Sequence, residues 1–240
     1  NVLAHVPDIN DFVSAFKFLL KKNGTITFEF PSLMNLVDNN LWDTVYHEHY
    51  SYLSMSAVKI ILNRNGLKIY NIEKITTHGG SLRLYVSHKN SDKEVRNSVK
   101  DYLNIEIKKG VNKLVYYQNL QINADHKKYE INKFLIEKKL KGKKIIGYGA
   151  AAKAATMFNY CGIRSDLITF VVDQNPHKQK KLFPGSRIQI HSEAKIKEFK
   201  PDYIIILPWN IKNEIKSKLS YTKKWNAKFV VFFPKLKIFS

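Results

Sequence analysis

The sequence contains one cysteine, Cys161, so an internal disulfide cannot form. Such sparse use of cysteine is typical of a reducing compartment, and we expect a cytoplasmic protein. No run of 18 or more apolar residues occurs, which predicts that no helix spans a membrane and that no membrane is a partner. Hydrophobic residues still make up 44% of the chain, which is enough for packed cores in one or two domains.

Acidic residues are scarce, because 20 Asp and Glu face 40 Lys and Arg and leave a formal net charge of +20. Such an excess can attract nucleic acid, an anionic membrane or a phosphorylated ligand. The lysines are spread along the chain rather than gathered in a short basic block, so the excess is more typical of overall composition. We therefore expect no nucleic-acid partner, although the charge suits an anionic substrate.

Residues 1–89 predict part of a doubly wound sheet. The pattern is strand, helix, strand, helix and two strands, carried in turn by NVLAHVPD, INDFVSAFKFLLKKNG, TITFEFP, SMSAVKIILNRNG, LKIYNIEKI and SLRLYVSHK. This pattern starts with a buried strand at residue 1 and supplies only about half of a doubly wound sheet. We therefore expect the first strand–helix units of this domain to precede residue 1.

Residues 90–141 contain no proline and one glycine, Gly110, which predicts a helical connection made of one helix or two. From residue 142 the pattern changes to apolar strands separated by helical stretches. The four predicted strands lie in KKIIGYG, LITFVVD, PDYIIIL and AKFVVFF. This alternation predicts a second, parallel α/β domain over residues 142–240.

A glycine turn opens that second domain. Gly147 and Gly149 follow the first strand, Lys153 lies in the helix after them, and Asp173 ends the next strand. Small residues at such a turn let a helix N-terminus approach a phosphate, and the acid can bind a ribose hydroxyl. The same glycines can serve only for close packing of strand and helix, and the spacing leaves both interpretations open.

The stretch YHEHY, residues 46–50, gathers groups that carry chemistry. His47 and His49 could bind a metal with help from His5 or His78, but no CxxC or HExxH spacing supports this, so we predict no metal site. An imidazole that titrates near neutral pH beside a carboxylate and a phenol fits acid–base catalysis better. A surface loop with incidental histidines is the remaining alternative.

The stretch HGGSLR, residues 78–83, places two glycines before a strand. Its backbone N–H groups could face a ligand, and Arg83 could bind an anion with its guanidinium fork. The alternative is a hairpin turn with an arginine on the solvent-facing side.

Six stretches occur in the order seen in one enzyme family, and together they cover essentially the whole chain. They are NVLAHVPD, YHEHYSYLS, HGGSLRLYV, GYGAAAKAATMFNYCGI, VVDQNPHKQKKLFPGSRIQI and ILPWN. In the order of these six stretches, the sequence resembles the sugar C-methyltransferases. These are S-adenosylmethionine-dependent enzymes that methylate a carbon of nucleotide-linked keto-deoxysugars.

The resemblance implies an α/β fold in three parts: a zinc-binding domain, a class I methyltransferase domain and a Rossmann-like C-terminal domain. The zinc cysteines and the glycine-rich cofactor loop are both absent from this sequence. Residues 1–89 then correspond to a partial methyltransferase sheet that starts at its fourth strand. Asn1 and Val2 are the remaining cofactor contacts, so we expect weak binding of S-adenosylmethionine unless a separate upstream chain supplies the missing lobe.

The resemblance also implies roles for individual residues. His49 is the expected base that forms an enolate of a 4-keto sugar, supported by Tyr46, Glu48 and His5. The expected contacts to the nucleotide-diphosphate sugar are His78, Gly79, Arg83, Gly147, Gly149, Lys153 and Asp173. Two other functions stay open: an inactive remnant that only binds the nucleotide sugar, and a nicotinamide-dependent oxidoreductase built on the glycine turn.

Overall fold

The computed structural model describes residues 2–240, with every side chain in that range except that of residue 78. The described helices are α1 (Ile9–Leu19), α2 (Leu33–Asp38), α3 (Met55–Arg64), α4 (Asn97–Lys109), α5 (Leu120–Leu140), α6 (Ala152–Cys161), α7 (Ala194–Phe199) and α8 (Lys212–Lys218). The strands are β1 (Ile26–Pro31), β2 (Leu67–Ile75), β3 (Ser81–His88), β4 (Ile145–Tyr148), β5 (Val171–Val172), β6 (Ile190–His191), β7 (Tyr203–Ile206), β8 (Lys228–Val231) and β9 (Lys237–Phe239). In the described range no helix is both long and apolar enough to cross a bilayer.

The chain divides into two compact units. The first unit comprises the stretch that ends at Asn39 together with His47–Leu120, and the second comprises Asn40–Tyr46 and Gln121–Ser240. The short segment Asn40–Tyr46, called the strap below, thus packs with the second unit although its chain neighbours belong to the first. Helices α4 and α5 fall in different units, so the predicted connection over 90–141 consists of two helices.

The first unit is built on a three-stranded sheet of order β1-β3-β2. Strand β3 runs antiparallel to both neighbours, so β1 and β2 point the same way. Alternate residues of the sheet, such as Phe28, Phe30, Leu82 and Leu84, are buried in the core of this unit. The strands and helices predicted for residues 25–89 are confirmed. Helix α2 was not predicted.

The predicted strand at NVLAHVPD is wrong. Leu3–His5 form one turn of 3-10 helix, in which the His5 N–H donates to the Val2 carbonyl over 2.8 Å. A strand needs a neighbouring strand to satisfy its backbone groups, and in the described residues none pairs with this stretch. Its apolar residues Leu3 and Ala4 are nevertheless buried. The apolar pattern therefore predicted their burial correctly and their backbone conformation wrongly.

Helix α3 begins on a buried carboxylate. Glu106 of α4 is only 1% exposed, and its oxygens accept hydrogen bonds from the N–H groups of Met55 at 2.7 Å and Ser56 at 2.9 Å. The Ser56 hydroxyl also bonds this carboxylate. A negative charge at a helix N-terminus satisfies donors that have no partner within the helix, so Glu106 ties α4 to the start of α3.

The second unit contains a six-stranded sheet of order β6-β5-β4-β7-β8-β9. Five strands are parallel and β9 is antiparallel to β8. This is the strand order of a doubly wound Rossmann-like sheet, which confirms the predicted α/β fold. The sequence patterns missed the short strand β6 and the terminal strand β9. After β4 the chain forms β5 and β6 on one side of it and then crosses to form β7 on the other side. The crevice at this reversal of strand order is the place where such sheets bind ligands.

Replacing Glu106 by alanine is expected to lower the free energy of unfolding by roughly 3 kcal/mol, because two backbone donors and a hydroxyl lose their buried charged acceptor. Urea unfolding monitored by circular dichroism measures this loss. The matched control is Glu94→Ala, at an exposed acid of the same unit, for which a change of about 0.5 kcal/mol or less is expected. Equal losses in both variants would contradict the capping role.

Candidate functional site

Two histidines from the predicted catalytic set lie together in the first unit. The ring centroids of His5 and His49 are 4.9 Å apart, with the ring planes at 65°, in an edge-to-face arrangement. The Ser51 N–H donates to the Ala4 carbonyl at 3.2 Å and ties the two segments beside this pair. Both rings are half-buried, so each can reach a ligand while its position is held by the fold.

The remaining members of the YHEHY cluster differ in their surroundings. His47 and Glu48 are exposed, whereas Tyr46 is half-buried and belongs to the second unit as the last residue of the strap. The Tyr52 ring lies 6.1 Å from that of His49, nearly perpendicular to it. Over the described residues, no group of three or more His, Cys, Asp or Glu side chains is arranged to hold a metal ion.

The predicted cofactor contacts provide little of a site. Val2 is 55% exposed and offers one small apolar side chain and its backbone groups. Asn1 lies outside the described residues. A sulfonium cofactor with a ribose and an amino acid moiety requires several charged and polar partners, so the described residues do not fit this group by themselves.

The HGGSLR stretch forms a tight turn before β3. Gly79 and Gly80 have φ values of +87° and +125°, a region that favours glycine. The Asn35 side chain donates to the Gly79 carbonyl at 2.6 Å and fixes the turn. The side chain of His78 lies outside the described residues.

Arg83 is held in an ion pair between two strands. In the sheet register it stands opposite Glu29 of β1 and Glu73 of β2, and its Nη2 lies 3.0 Å from the Glu29 carboxylate. Hydrogen bonding to Glu29 raises the pKa of the guanidinium. An anionic substrate would have to compete with this carboxylate, so the position of Arg83 favours a structural cross-strand role.

A crevice of about 350 Å³ opens at the carboxyl ends of β4, β5 and β7 in the second unit. Its walls include Tyr148, Gly149, Asp173, Gln174, Pro208 and Lys218. This position is the switch point of the doubly wound sheet, and the volume lies within the range of small-molecule sites. The structure therefore brings Gly149 and Asp173, two of the predicted substrate contacts, to one crevice.

The two glycines of the turn are needed for different reasons. A Cβ on Gly147 would lie 2.8 Å from Cγ2 of Val171, so this glycine allows β4 to pack closely against β5. Gly149 has a φ of +89°, and a Cβ there would lie 2.6 Å from Cδ of Pro208. The second glycine thus permits both an unusual backbone conformation and the narrow approach of the β4 and β7 loops.

Asp173 holds the glycine turn from within. Its Oδ2 accepts the Ala150 N–H at 2.6 Å and its Oδ1 accepts the Asn175 N–H at 2.8 Å. Lys178 adds a hydrogen bond to the Ala150 carbonyl at 2.8 Å. A backbone donor that a phosphate would use is therefore already paired with a carboxylate, which counts against binding of a nicotinamide dinucleotide in the usual manner.

A polar network on the crevice wall was missed by the sequence interpretation. The Tyr148 hydroxyl bonds the Glu193 carboxylate, Lys218 Nζ lies 2.7 Å from the same group, and Gln174 donates to the Tyr148 hydroxyl at 3.0 Å. Burial first, and then the hydrogen bond to Glu193, raise the pKa of Tyr148. The phenol therefore stays protonated and acts as a hydrogen-bonding group. These residues are far apart in sequence and share no spacing that could have linked them.

Lys153 does not line the crevice. The residue is only 8% exposed, and its Nζ donates to Asn210 Oδ1 at 3.1 Å. The ammonium also lies 4.6 Å from the centroid of the Trp209 ring. Burial lowers the pKa of Lys153, and the charge of Asp43 opposes this effect.

Asp43 of the strap is the buried acid whose negative charge acts on this lysine. It is 1% exposed, and its Oδ2 accepts the Trp209 indole N–H at 2.7 Å. Burial raises the pKa of Asp43 to about 6, although Lys153, Trp209 and nearby backbone N–H groups act in the opposite direction. One signal for this residue was present in the sequence, since an acid in the otherwise apolar stretch LWDTV requires a buried partner.

Comparison with known proteins identifies two similarities. A family described as the C-methyltransferase C-terminal domain matches residues 76–234. The C-methyltransferase NovU of Streptomyces niveus is 30% identical over 237 residues, which is 99% of this chain and 56% of that protein. The chain therefore spans little more than half the length of the curated relative it matches.

Substituting Gly149 by alanine is expected to destabilise the protein by about 2–4 kcal/mol, because left-handed strain adds to a clash with Pro208. Gly142→Ala is the matched control: its φ is +67° and a Cβ there would meet nothing within 4 Å. The control should lose only the backbone term of about 1–2 kcal/mol. Urea unfolding of both variants separates the two contributions, and equal losses would show that Pro208 yields without cost.

The stability difference between wild type and Asp43→Asn is expected to depend on pH. The folded pKa of about 6 lies above the ordinary value of 3.8, so the folded protein binds this proton more tightly than the unfolded chain does. The wild type should therefore lose roughly 2 kcal/mol relative to the asparagine variant as the pH rises from about 4 to about 7. Urea unfolding across this range measures the difference. A difference that stays constant with pH, like that expected for the exposed Asp166→Asn, would contradict the raised pKa.

Proposed function

Because the chain belongs to the C-methyltransferase family, we propose that it serves in the methylation of a carbon atom of a nucleotide-linked 4-keto-deoxysugar. The observation that carries the proposal is the adjacency of the His5 and His49 rings in a chain that matches this family. Members of the family use S-adenosylmethionine, which supplies an electrophilic methyl group when bound. The steps assigned to this chain are removal of a proton from the sugar and retention of the nucleotide sugar.

Methylation at carbon requires a carbon nucleophile. A hydrogen on the carbon beside a keto group is acidic enough for removal when a base is close and the developing oxyanion is stabilised. His49 is the proposed base, because a neutral imidazole accepts a proton near neutral pH and the fold holds this ring beside a second one. His5 is the proposed partner that orients His49 or donates to the keto oxygen.

Tyr46 and Glu48 are proposed as supporting groups on the basis of the sequence pattern. Glu48 is exposed and its carboxylate can approach a ligand without displacing a buried partner. A tyrosine hydroxyl is a suitable donor to an oxyanion because it stays protonated at neutral pH.

The crevice of the second unit is the proposed site for the nucleotide part of the substrate. Gln174, Tyr148 and Lys218 offer hydrogen-bonding groups, and Pro208 with Ile211 offers an apolar surface for a base or a sugar. Gly149 and Asp173 keep the turn beside the crevice in shape. His78 and Gly79 remain proposed contacts of the sugar, whereas the ion pair of Arg83 and the burial of Lys153 favour structural roles for those two residues.

An inactive sugar-binding remnant is the competing function, and the substitution of His49 distinguishes the two. His49→Asn is expected to slow removal of the hydrogen beside the keto group of a deoxythymidine-diphosphate 4-keto sugar by about 100-fold or more, because general-base catalysis contributes that much. The assay follows release of tritium from that carbon into water and needs no methyl donor. His47→Asn is the matched control, since His47 is an exposed neighbour with no proposed role and should retain wild-type activity. Equal activity of His49→Asn and wild type would rule out His49 as the base.

A further inference from the structure

The strap Asn40–Tyr46 lies along one face of α6. Lys153, Thr156 and Tyr160 are spaced three and four residues apart, so they share that face of the helix. The Thr156 hydroxyl donates to the Val45 carbonyl at 2.8 Å, and the Tyr160 ring lies 4.7 Å from that of Trp42. At the start of the strap, Asn40 donates to the Asn123 carbonyl of α5 at 2.8 Å. Contacts with α5 and α6 therefore extend along most of the strap.

The centre of the strap is held by buried charge. Asp43 receives the Trp209 indole N–H, and the ammonium of Lys153 stands over the face of the same indole ring. Asp43, Lys153 and Trp209 border a cavity of about 10 Å³, whose other walls are mainly aliphatic and aromatic. Asp43 Oδ1 makes no hydrogen bond of good geometry in the described part of the chain. The attraction of a buried cation is thus an important compensation for burying this carboxylate.

An apolar strap alone would not need this arrangement. Leu41 and Trp42 already bury apolar surface, and a slide of the strap by one residue would still leave apolar groups to bury. Such a slide would expose Asp43 to an apolar wall and separate it from Lys153, which is costly for a buried charge. Buried opposite charges that attract one another can specify one register of a segment even where they add little stability.

We propose that Asp43 and Lys153 are positioning residues, which lock the strap in one register on α6 and thereby fix the position of Tyr46 at its end. The benefit to catalysis rests on the proposed function of Tyr46, whereas the lock itself does not. The proposal also gives Lys153 a role that the glycine-turn pattern did not suggest. Its charge is directed at the strap and not at a phosphate.

Chymotrypsin tests the lock directly, because the strap contains Leu41, Trp42 and Tyr46 as cleavage sites. The variants are Asp43→Asn, which keeps an acceptor for the Trp209 indole, Lys153→Met, and the two combined. Each single variant leaves one buried charge without its partner, so cleavage in the strap, mapped by mass spectrometry, should be at least about tenfold faster than in wild type. The double variant should be cleaved more slowly than the product of the two single effects predicts.

Two surface substitutions serve as controls for charge alone. Asp166→Asn and Lys195→Met lie at exposed or partly exposed positions of the same unit and should leave strap cleavage unchanged. Circular dichroism establishes that each variant is folded before digestion. Wild-type cleavage rates in both single variants, or a double variant whose effect equals their product, would overturn the proposal.

The kinetics of hydrogen release from the sugar, measured without a methyl donor, test the consequence for Tyr46. A displaced catalytic group lowers kcat by up to about 100-fold, so the single variants should lose kcat while KM for the nucleotide sugar stays within about twofold. A rise in KM with unchanged kcat would assign Lys153 to substrate binding and would overturn the positioning role. If the wild type released no hydrogen from the sugar, the proposed function would fail, and the digestion experiment would still decide the lock.

Discussion

Three carboxylates organise this strongly basic chain, because each satisfies donors or a cation that would otherwise stay unpaired inside it. Glu106 holds the start of α3, Asp173 holds the glycine turn, and Asp43 holds the strap. Buried N–H groups and charges without partners are costly, so the positions of these few acids restrict how the neighbouring segments can pack. With only 20 acids in 240 residues, their use as internal anchors accounts for structure that the net charge of +20 does not suggest.

The doubly wound sheet explains where the second unit can bind a ligand. Strand β5 lies on one side of β4 and β7 on the other, so the strand order reverses at β4, and ligands of such sheets bind at the carboxyl ends of these strands. Gly149 lets these loops approach each other beside Pro208, while Asp173 occupies the turn from the other side. The crevice is therefore shaped by backbone constraints, and its hydrogen-bonding capacity comes from Tyr148, Gln174 and Lys218.

Sequence patterns predicted the elements that carry a strong local signal. The alternation in TITFEFP and the apolar strands after residue 142 were sufficient, because burial on one face or on both faces of a sheet leaves a readable period. The stretch NVLAHVPD was misjudged since an apolar run indicates burial without saying whether a partner strand exists. Strand β6 contains only two residues, too few for any period to show.

The candidate site was predictable in type more than in arrangement. The sequence alone identifies the histidines of YHEHY and the glycines of GYGAAAK as candidate functional residues. The structure then places His5 beside His49 and Gly149 beside Asp173. The sequence does not show which residue each charged side chain will pair with. Arg83 faces Glu29 across a sheet register, and Lys153 is opposed by an acid 110 positions earlier, so both could be located only from the fold.

Hydrogen exchange at the sugar tests whether this chain activates the carbon, because it isolates proton removal from methyl transfer. The protein is incubated in D₂O with a deoxythymidine-diphosphate 4-keto-6-deoxy sugar and no methyl donor, and the hydrogen on the carbon beside the keto group is followed by NMR. With the wild type we expect exchange well above the rate in buffer, and this exchange should be abolished in His49→Asn and retained in His47→Asn. Exchange at the buffer rate with wild type, or equal exchange with His49→Asn, would contradict the assignment of this chain as the part that activates the carbon.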